Sequence, residues 1–201
     1  MALIGIIETG AGNLTSLEAA IMRAGHTVRR LATPELNDID QLLIPGQGRF
    51  GPVMNTLQKN AWVPVLKQWF AQSKPLLGIC VGQQVLFEQS EEDAVKGLGL
   101  LPGTVKKLQS PKQPMMGWCP VAFNESARSI NDEPLHNGDA YFVNSYVVTN
   151  SAHAVAYANY GQRFVAAVQH GAWAAFQFHP EKSGAYGEYL LKQYLVKGRT
   201  S

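Results

Sequence analysis

Cysteine is scarce in this chain, with only Cys80 and Cys119 among 201 residues. Two thiols cannot build the disulfide framework that holds small secreted domains, and so sparse a set fits a reducing compartment. Clustered positive charge is also missing. The formal charge is +2, and Arg29-Arg30 and Lys106-Lys107 are isolated pairs that read as solvated surface. Electrostatics therefore points neither to nucleic acid nor to an acidic membrane. No apolar run reaches the length of a membrane span, and Met1 to Gly5 lack the basic flank and cleavage site of a signal peptide, so a cytoplasmic protein is expected. The histidines His26, His136, His153, His170 and His179 are scattered without ligand spacing, and the two cysteines are too far apart for a zinc knuckle. Neither a metal nor a cofactor is expected. The loop Gly10-Ala11-Gly12-Asn13 superficially follows a dinucleotide fingerprint but lacks its third glycine and an acidic residue after the second strand. Repeats, low-complexity tracts and linkers are absent too, which leaves one domain over residues 1–201 with 46% hydrophobic residues to fill a sizeable core.

What is present begins with alternation. Leu3 to Ile7, Thr27 to Leu31, Gln41 to Ile44 and Pro75 to Ile79 are short apolar runs that predict strands, and Leu14 to Ala24 and Val63 to Ala71 carry helical spacing. Strands alternating with helices predict an α/β fold with a parallel sheet covered on both faces. Ligands bind such sheets at the carboxyl ends of their strands, where the loops at Gly10, Gly46 and Cys80 all lie. The second half changes character. Runs at 103–108, 121–123, 140–148, 154–158, 164–169 and 172–178 predict antiparallel strands that extend or flank the sheet, with His170-Gly171 as the clearest hairpin turn. Residues 114–120, bounded by prolines, read as a loop exposing Trp118 to a partner. A helix over Tyr186 to Val196 closes the chain.

Two motifs carry chemistry. Gly78-Ile79-Cys80-Val81-Gly82 follows a strand and precedes Gln83 to Glu88, whose pattern predicts an amphipathic helix; Cys80 then stands on a strand-to-helix nucleophile elbow, with glycines where backbones come close. The positive end of a helix there favours a thiolate. Far downstream, His179 ends a strand-like run, Pro180 stops the ladder, and Glu181 is placed to hold the second ring nitrogen. Cys80, His179 and Glu181 are in the order of nucleophile, base and orienter.

These segments together resemble a known family. Gly10-Ala11-Gly12-Asn13-Leu14, Ile44-Pro45-Gly46-Gln47-Gly48-Arg49-Phe50, the run from Lys74 to Gln84, Gly97 to Gly103, Met116-Gly117-Trp118, Tyr141 to Tyr146 and Phe176 to Gly184 are similar to class I, triad-type glutamine amidotransferases. Within that class they resemble the glutaminase branch serving imidazole glycerol phosphate synthase in histidine biosynthesis. The resemblance implies a three-layer fold with a mainly parallel central sheet, helices on both faces and additional antiparallel strands. It implies that Cys80 attacks the carboxamide of L-glutamine, that His179 moves the proton and that Glu181 fixes the imidazole. Oxyanion donors are then Val81 and the loop at Gln47; Gly48, Gln84, Ser145 and Tyr146 hold the substrate. Because free ammonia is mostly protonated and no nucleophile, the glutaminase is expected to sit on its acceptor, a (β/α)8-barrel cyclase faced by Asn13, Met116 and Trp118 in a heterodimer. The chain departs from the family pattern at Gln47, at Val81 and Gln83, at Met115 and Cys119, and at Asn144. A paralogue feeding a different synthase, or a non-catalytic subunit on the same scaffold, are the other readings.

Overall fold

A computed structural model describes residues 1–10, 12, 14–110, 112–125 and 127–197. The first half alternates as the periodicity predicts: β1 (Leu3–Ile7), α1 (Thr15–Arg23), β2 (Thr27–Leu31), β3 (Gln41–Ile44), α2 (Phe50–Lys59), α3 (Trp62–Ala71) and β4 (Leu76–Ile79). Strands β2, β1, β3 and β4 lie side by side in that order, all parallel. Every residue of β3 and β4 is buried. Leu43, Leu77 and Ile79 join Leu17 and Ile21 of α1 in one apolar layer, while Leu42, Ile44 and Leu76 join Leu57, Trp62 and Leu66 in the other. Successive strand residues point to opposite faces, so a continuous apolar run is what a sheet covered on both sides requires. The edge strand β2 is mostly exposed and carries Arg29 and Arg30, charges that discourage pairing with another chain.

The second half extends this sheet. After a four-residue helix α4 (Val81–Gln84) come β5 (Phe87–Ser90), β6 (Leu101–Lys107), β7 (Met115–Phe123), β8 (Gly138–Asn144), β9 (Tyr146–Val147), β10 (Ala154–Tyr160), β11 (Gln162–His170) and β12 (Trp173–Phe176), then a 3-10 turn (Pro180–Lys182) and α5 (Gly184–Tyr194). The nine-stranded order is β2-β1-β3-β4-β12-β11-β10-β7-β8, and β5, β6 and β9 form a small separate sheet. The hairpin predicted at His170-Gly171 joins β11 to β12 antiparallel. Its product, β12, then pairs parallel with β4 in the register Ala175 to Gly78 and Phe176 to Ile79. The chain leaving β12 therefore runs beside the chain leaving β4. No described helix is long and apolar enough to cross a membrane.

Two expectations are corrected and one element was unforeseen. The helix predicted over Gln83 to Glu88 stops at Gln84, because Val85, Leu86 and Phe87 are all fully buried and the backbone of Val85 and Leu86 accepts from Leu98, Leu100 and Leu101. Tertiary pairing with a distant segment overrides local helical spacing. Residues 114–120 are not a loop but belong largely to β7, paired with β8 from Met115 opposite Asn144 to Val121 opposite Gly138. Pro120 is tolerated because β10 pairs with β7 only at Ala122 and Phe123, so no ladder amide is needed on that side. Helix α2 was not anticipated. Its first amides, Phe50 N and Gly51 N, donate at 2.9 Å to the Glu92 and Asp93 carboxylates some forty residues later in the chain, a cap that local sequence cannot display.

Candidate active site

The elbow is built by close backbone approach. Cys80, at φ 50° and ψ −108°, sits between β4 and α4 in a region that side chains other than glycine rarely adopt. It is held there by its neighbours: Cys80 N donates to Phe176 O of β12 at 2.7 Å. The loop after β3 presses on the same turn, since a Cβ at Gly46 would lie 2.2 Å from Ile79 O, and one at Gly82 2.2 Å from Ile44 O. Only glycine permits that contact on each side.

His179 follows β12 by three residues, so the parallel register that puts Phe176 beside Ile79 carries it to the elbow. Its backbone is clamped. His179 N donates to Tyr141 O at 2.9 Å, and the Ser183 hydroxyl donates to His179 O at 2.6 Å while accepting from Tyr141 N at 2.9 Å. Nδ1 lies 2.8 Å from Glu181 Oε1, and both side chains are only 4% exposed. The other ring nitrogen is left to the thiol of Cys80, with which the imidazole interacts electrostatically. Burial by itself lowers the imidazole's basicity, but the interactions with Cys80 and Glu181 outweigh it, and His179 is pushed up to about 10. The three residues drawn from two distant segments are thus one buried constellation.

Beside it lies a pocket of about 220 Å³ lined by Gly48, Cys80, Val81, Gln84, Ser145 and Tyr146, all expected at the site, together with Val143, Asn144, Pro114 and Glu92. Val81 opens α4, where helical amides have no partner within the helix. Gln47 stands in the neighbouring loop with its side chain against Gly12 and does not line the pocket wall. Met116 and Trp118 alternate outward along β7, 64% and 58% exposed. Asn13 lies outside the described residues. A larger cavity of about 430 Å³, between Asp38, Trp69, Lys74 and Val196, opens at the opposite strand ends and contains none of the triad. The second thiol, Cys119, is buried in β7 beside Asn159 O, and burial pushes it up, as suits a structural residue rather than a nucleophile. Among the described residues no group of three or more His, Cys, Asp or Glu is arranged to hold a metal.

Sequence reading missed Glu92, Pro114, Gln177 and Ser183. The acidic run Glu91-Glu92-Asp93 was the one available hint of Glu92, and Gln177 lay unassigned inside a quoted motif.

Similarity to known proteins runs along nearly the whole chain. The profile of the family described as Glutamine amidotransferase class-I matches residues 6–197. The chain belongs to the class-I glutamine amidotransferases. A relative named imidazole glycerol phosphate synthase subunit HisH, from a Synechococcus strain, is 43% identical over 96% of this amidotransferase and 93% of its own length. The chloroplastic imidazole glycerol phosphate synthase hisHF of Arabidopsis thaliana is 33% identical over 96% of this chain but only 34% of its own. Among solved structures, one described as a glutamine amidotransferase superimposes with a TM-score of 0.75 over 95% of this chain and 98% of its own, at 18% identity, which concerns the fold alone.

Proposed function

We propose that this amidotransferase is the glutaminase subunit of an imidazole glycerol phosphate synthase, hydrolysing L-glutamine in the pocket at Cys80 and passing ammonia to a cyclase subunit for histidine biosynthesis. The observation that carries the reading is the buried Cys80, His179 and Glu181 constellation opening on a pocket sized for one amino acid. Similarity to HisH subunits over nearly the whole chain supports the pathway.

The chemistry follows from the geometry. Cys80 Sγ adds to the side-chain carbonyl carbon of glutamine, and the electron pair of that carbonyl moves onto its oxygen. Donors for the oxyanion are the Val81 N–H and an amide of the Pro45 to Gly48 loop at Gln47. His179 holds the thiol proton and delivers it to the departing nitrogen, so ammonia leaves and a γ-glutamyl thioester remains; water, deprotonated by the same imidazole, then releases glutamate and regenerates the thiol. Glu181 keeps the ring oriented and compensates its charge. Gln84, Ser145, Tyr146 and Gly48 hold the substrate, and Glu92 brings a carboxylate to the wall for the α-ammonium group. Free ammonia in the cytoplasm is mostly ammonium, which is not a nucleophile, so the acceptor enzyme must dock directly. The exposed Met116 and Trp118 suit that (β/α)8-barrel partner, in a heterodimer.

Replacement of Cys80 by Ala should abolish glutamine hydrolysis while folding and partner binding persist, and replacement of Cys119 by Ser should leave turnover near normal. Substantial turnover in Cys80→Ala, measured with the cyclase subunit present, would remove the triad assignment. Failure to form a one-to-one complex with such a cyclase would remove the pathway assignment alone.

A further inference from the structure

Gln177 is completely buried, sits two residues before His179 and has no part in the triad. Its backbone is anchored in the sheet, with N donating to Ala166 O at 2.8 Å. Its side chain reaches toward the nucleophile: Nε2 is 3.6 Å from Cys80 Sγ, and Oε1 accepts from Gln84 Nε2 at 3.0 Å.

The direction of that amide is decided by a chain of polarity. Tyr146 O is a carbonyl and can only accept. It receives Gln84 Nε2 at 2.9 Å and Asn144 Nδ2 at 3.3 Å. Gln84 thereby spends both its N–H groups, one on Tyr146 O and one on Gln177 Oε1. Reversing Gln177 would set its N–H groups against those of Gln84 and turn an oxygen lone pair toward the sulfur. The oxygen must face Gln84, so the N–H must face Cys80. Val143 O lies 3.8 Å from Sγ, an acceptor for the protonated thiol. The sulfur thus has an acceptor for its neutral form and a donor for its anion.

We propose that Gln177 is a catalytic residue whose side-chain N–H stabilises negative charge on Cys80 Sγ, oriented for that task by Gln84 and the Tyr146 carbonyl. Charge stands on the sulfur before attack on the carboxamide and again when the thioester's tetrahedral intermediate expels it. An amide donates at both moments without taking up or losing a proton, so the proton traffic stays with His179. The inference rests on Cys80 as the nucleophile of the proposed glutaminase. It adds a donor for the sulfur to the donors already assigned to oxygen.

The test is the pH profile of Cys80 alkylation by iodoacetamide in Gln177→Leu and Gln177→Glu, together with glutamine turnover in the complex. A long N–H···S bond to an anion is at the weak end of its class, so its removal should move the profile up by about one pH unit, a tenfold change. Gln177→Glu, which keeps an acceptor for Gln84 but turns a carboxylate to the sulfur, should move it further. Because a more basic thiolate is intrinsically more nucleophilic, the rate at the high-pH plateau should rise about threefold. A merely structural role would lower that plateau or leave it unchanged. Gln177 does not line the pocket, so kcat should fall about tenfold with KM little altered. An unshifted profile in either folded variant overturns the proposal. Should both variants unfold, the side-chain amide protons of Gln177 in the unsubstituted protein, followed by NMR, must respond to the thiol's titration and to its alkylation, and their indifference overturns it equally. A shifted alkylation profile in a protein that does not hydrolyse glutamine would sink the glutaminase reading and leave the sulfur donor standing.

Discussion

Replacing Ser183 by Ala should loosen His179 without altering any member of the proposed triad. Ser183 is 1% exposed, and its hydroxyl joins two chain segments, donating to His179 O at 2.6 Å and accepting from Tyr141 N at 2.9 Å. Alanine removes both bonds; His179 O still accepts from Lys182 N at 3.0 Å, so the Tyr141 amide is the group that loses its partner. A buried polar group left unpaired costs about 1 to 3 kcal/mol, so the substitution should cost about 2 kcal/mol. In a domain whose net stability is about 5 to 15 kcal/mol, that loss is large enough to read directly by urea denaturation at unchanged m-value. His179 N remains tied to Tyr141 O, so the backbone shift should be small, but a displacement approaching an ångström at the imidazole lowers kcat by about a hundredfold. Glutamine hydrolysis by Ser183→Ala in the complex should accordingly fall between tenfold and a hundredfold, as an order of magnitude, with KM nearly unchanged. Denaturation at the unsubstituted midpoint together with full turnover would refute the clamp and the reasoning that orders His179 through its own carbonyl.

Gly46→Ala should be more severe than its size suggests, because the new Cβ meets the Ile79 carbonyl oxygen at 2.2 Å, backbone against backbone at the elbow. A loss on the order of 1 to 3 kcal/mol or more is expected with a displaced Cys80, and normal alkylation of Cys80 in a normally stable variant would contradict it. A pH effect is expected at the far strand ends, where His153 packs edge-on to His170 with ring centroids 4.8 Å apart. Burial, and then the neighbouring His170, hold His153 below the ordinary imidazole range. The unfolded chain therefore binds the proton first, so this contribution to stability is full above about pH 6.5 and is lost as the pH falls. His26 is lowered in the same direction by burial and the N-terminal charge. Thermal melts at about pH 7.5 and 5.5 should differ less in His153→Asn than in the unsubstituted protein, with His26 keeping part of the slope; identical slopes would show that His153 contributes nothing.

Read alone, the amino-acid order determined the apolar strands β1, β3 and β4, the helices α1 and α3, and the elbow at Cys80, because each depends on side-chain periodicity or on glycines within a few residues. It also singled out the thiol, imidazole and carboxylate of the proposed triad, since their motifs are short and contiguous. Tertiary structure decided everything that rests on contact between distant segments. The parallel pairing of β12 with β4 brings His179 to Cys80. Carboxylates of Glu92 and Asp93 supply the amide partners at the start of α2, and Glu92 also reaches the pocket wall. Residues 85–87, helical by spacing, were drawn into backbone pairing with residues 98–101 because all three side chains could be buried only there. The amide of Gln177 gained its direction from Gln84 and Tyr146 in the same way. A hydrogen bond is satisfied by whichever partner the fold brings within reach, and no local pattern in the chain records that partner.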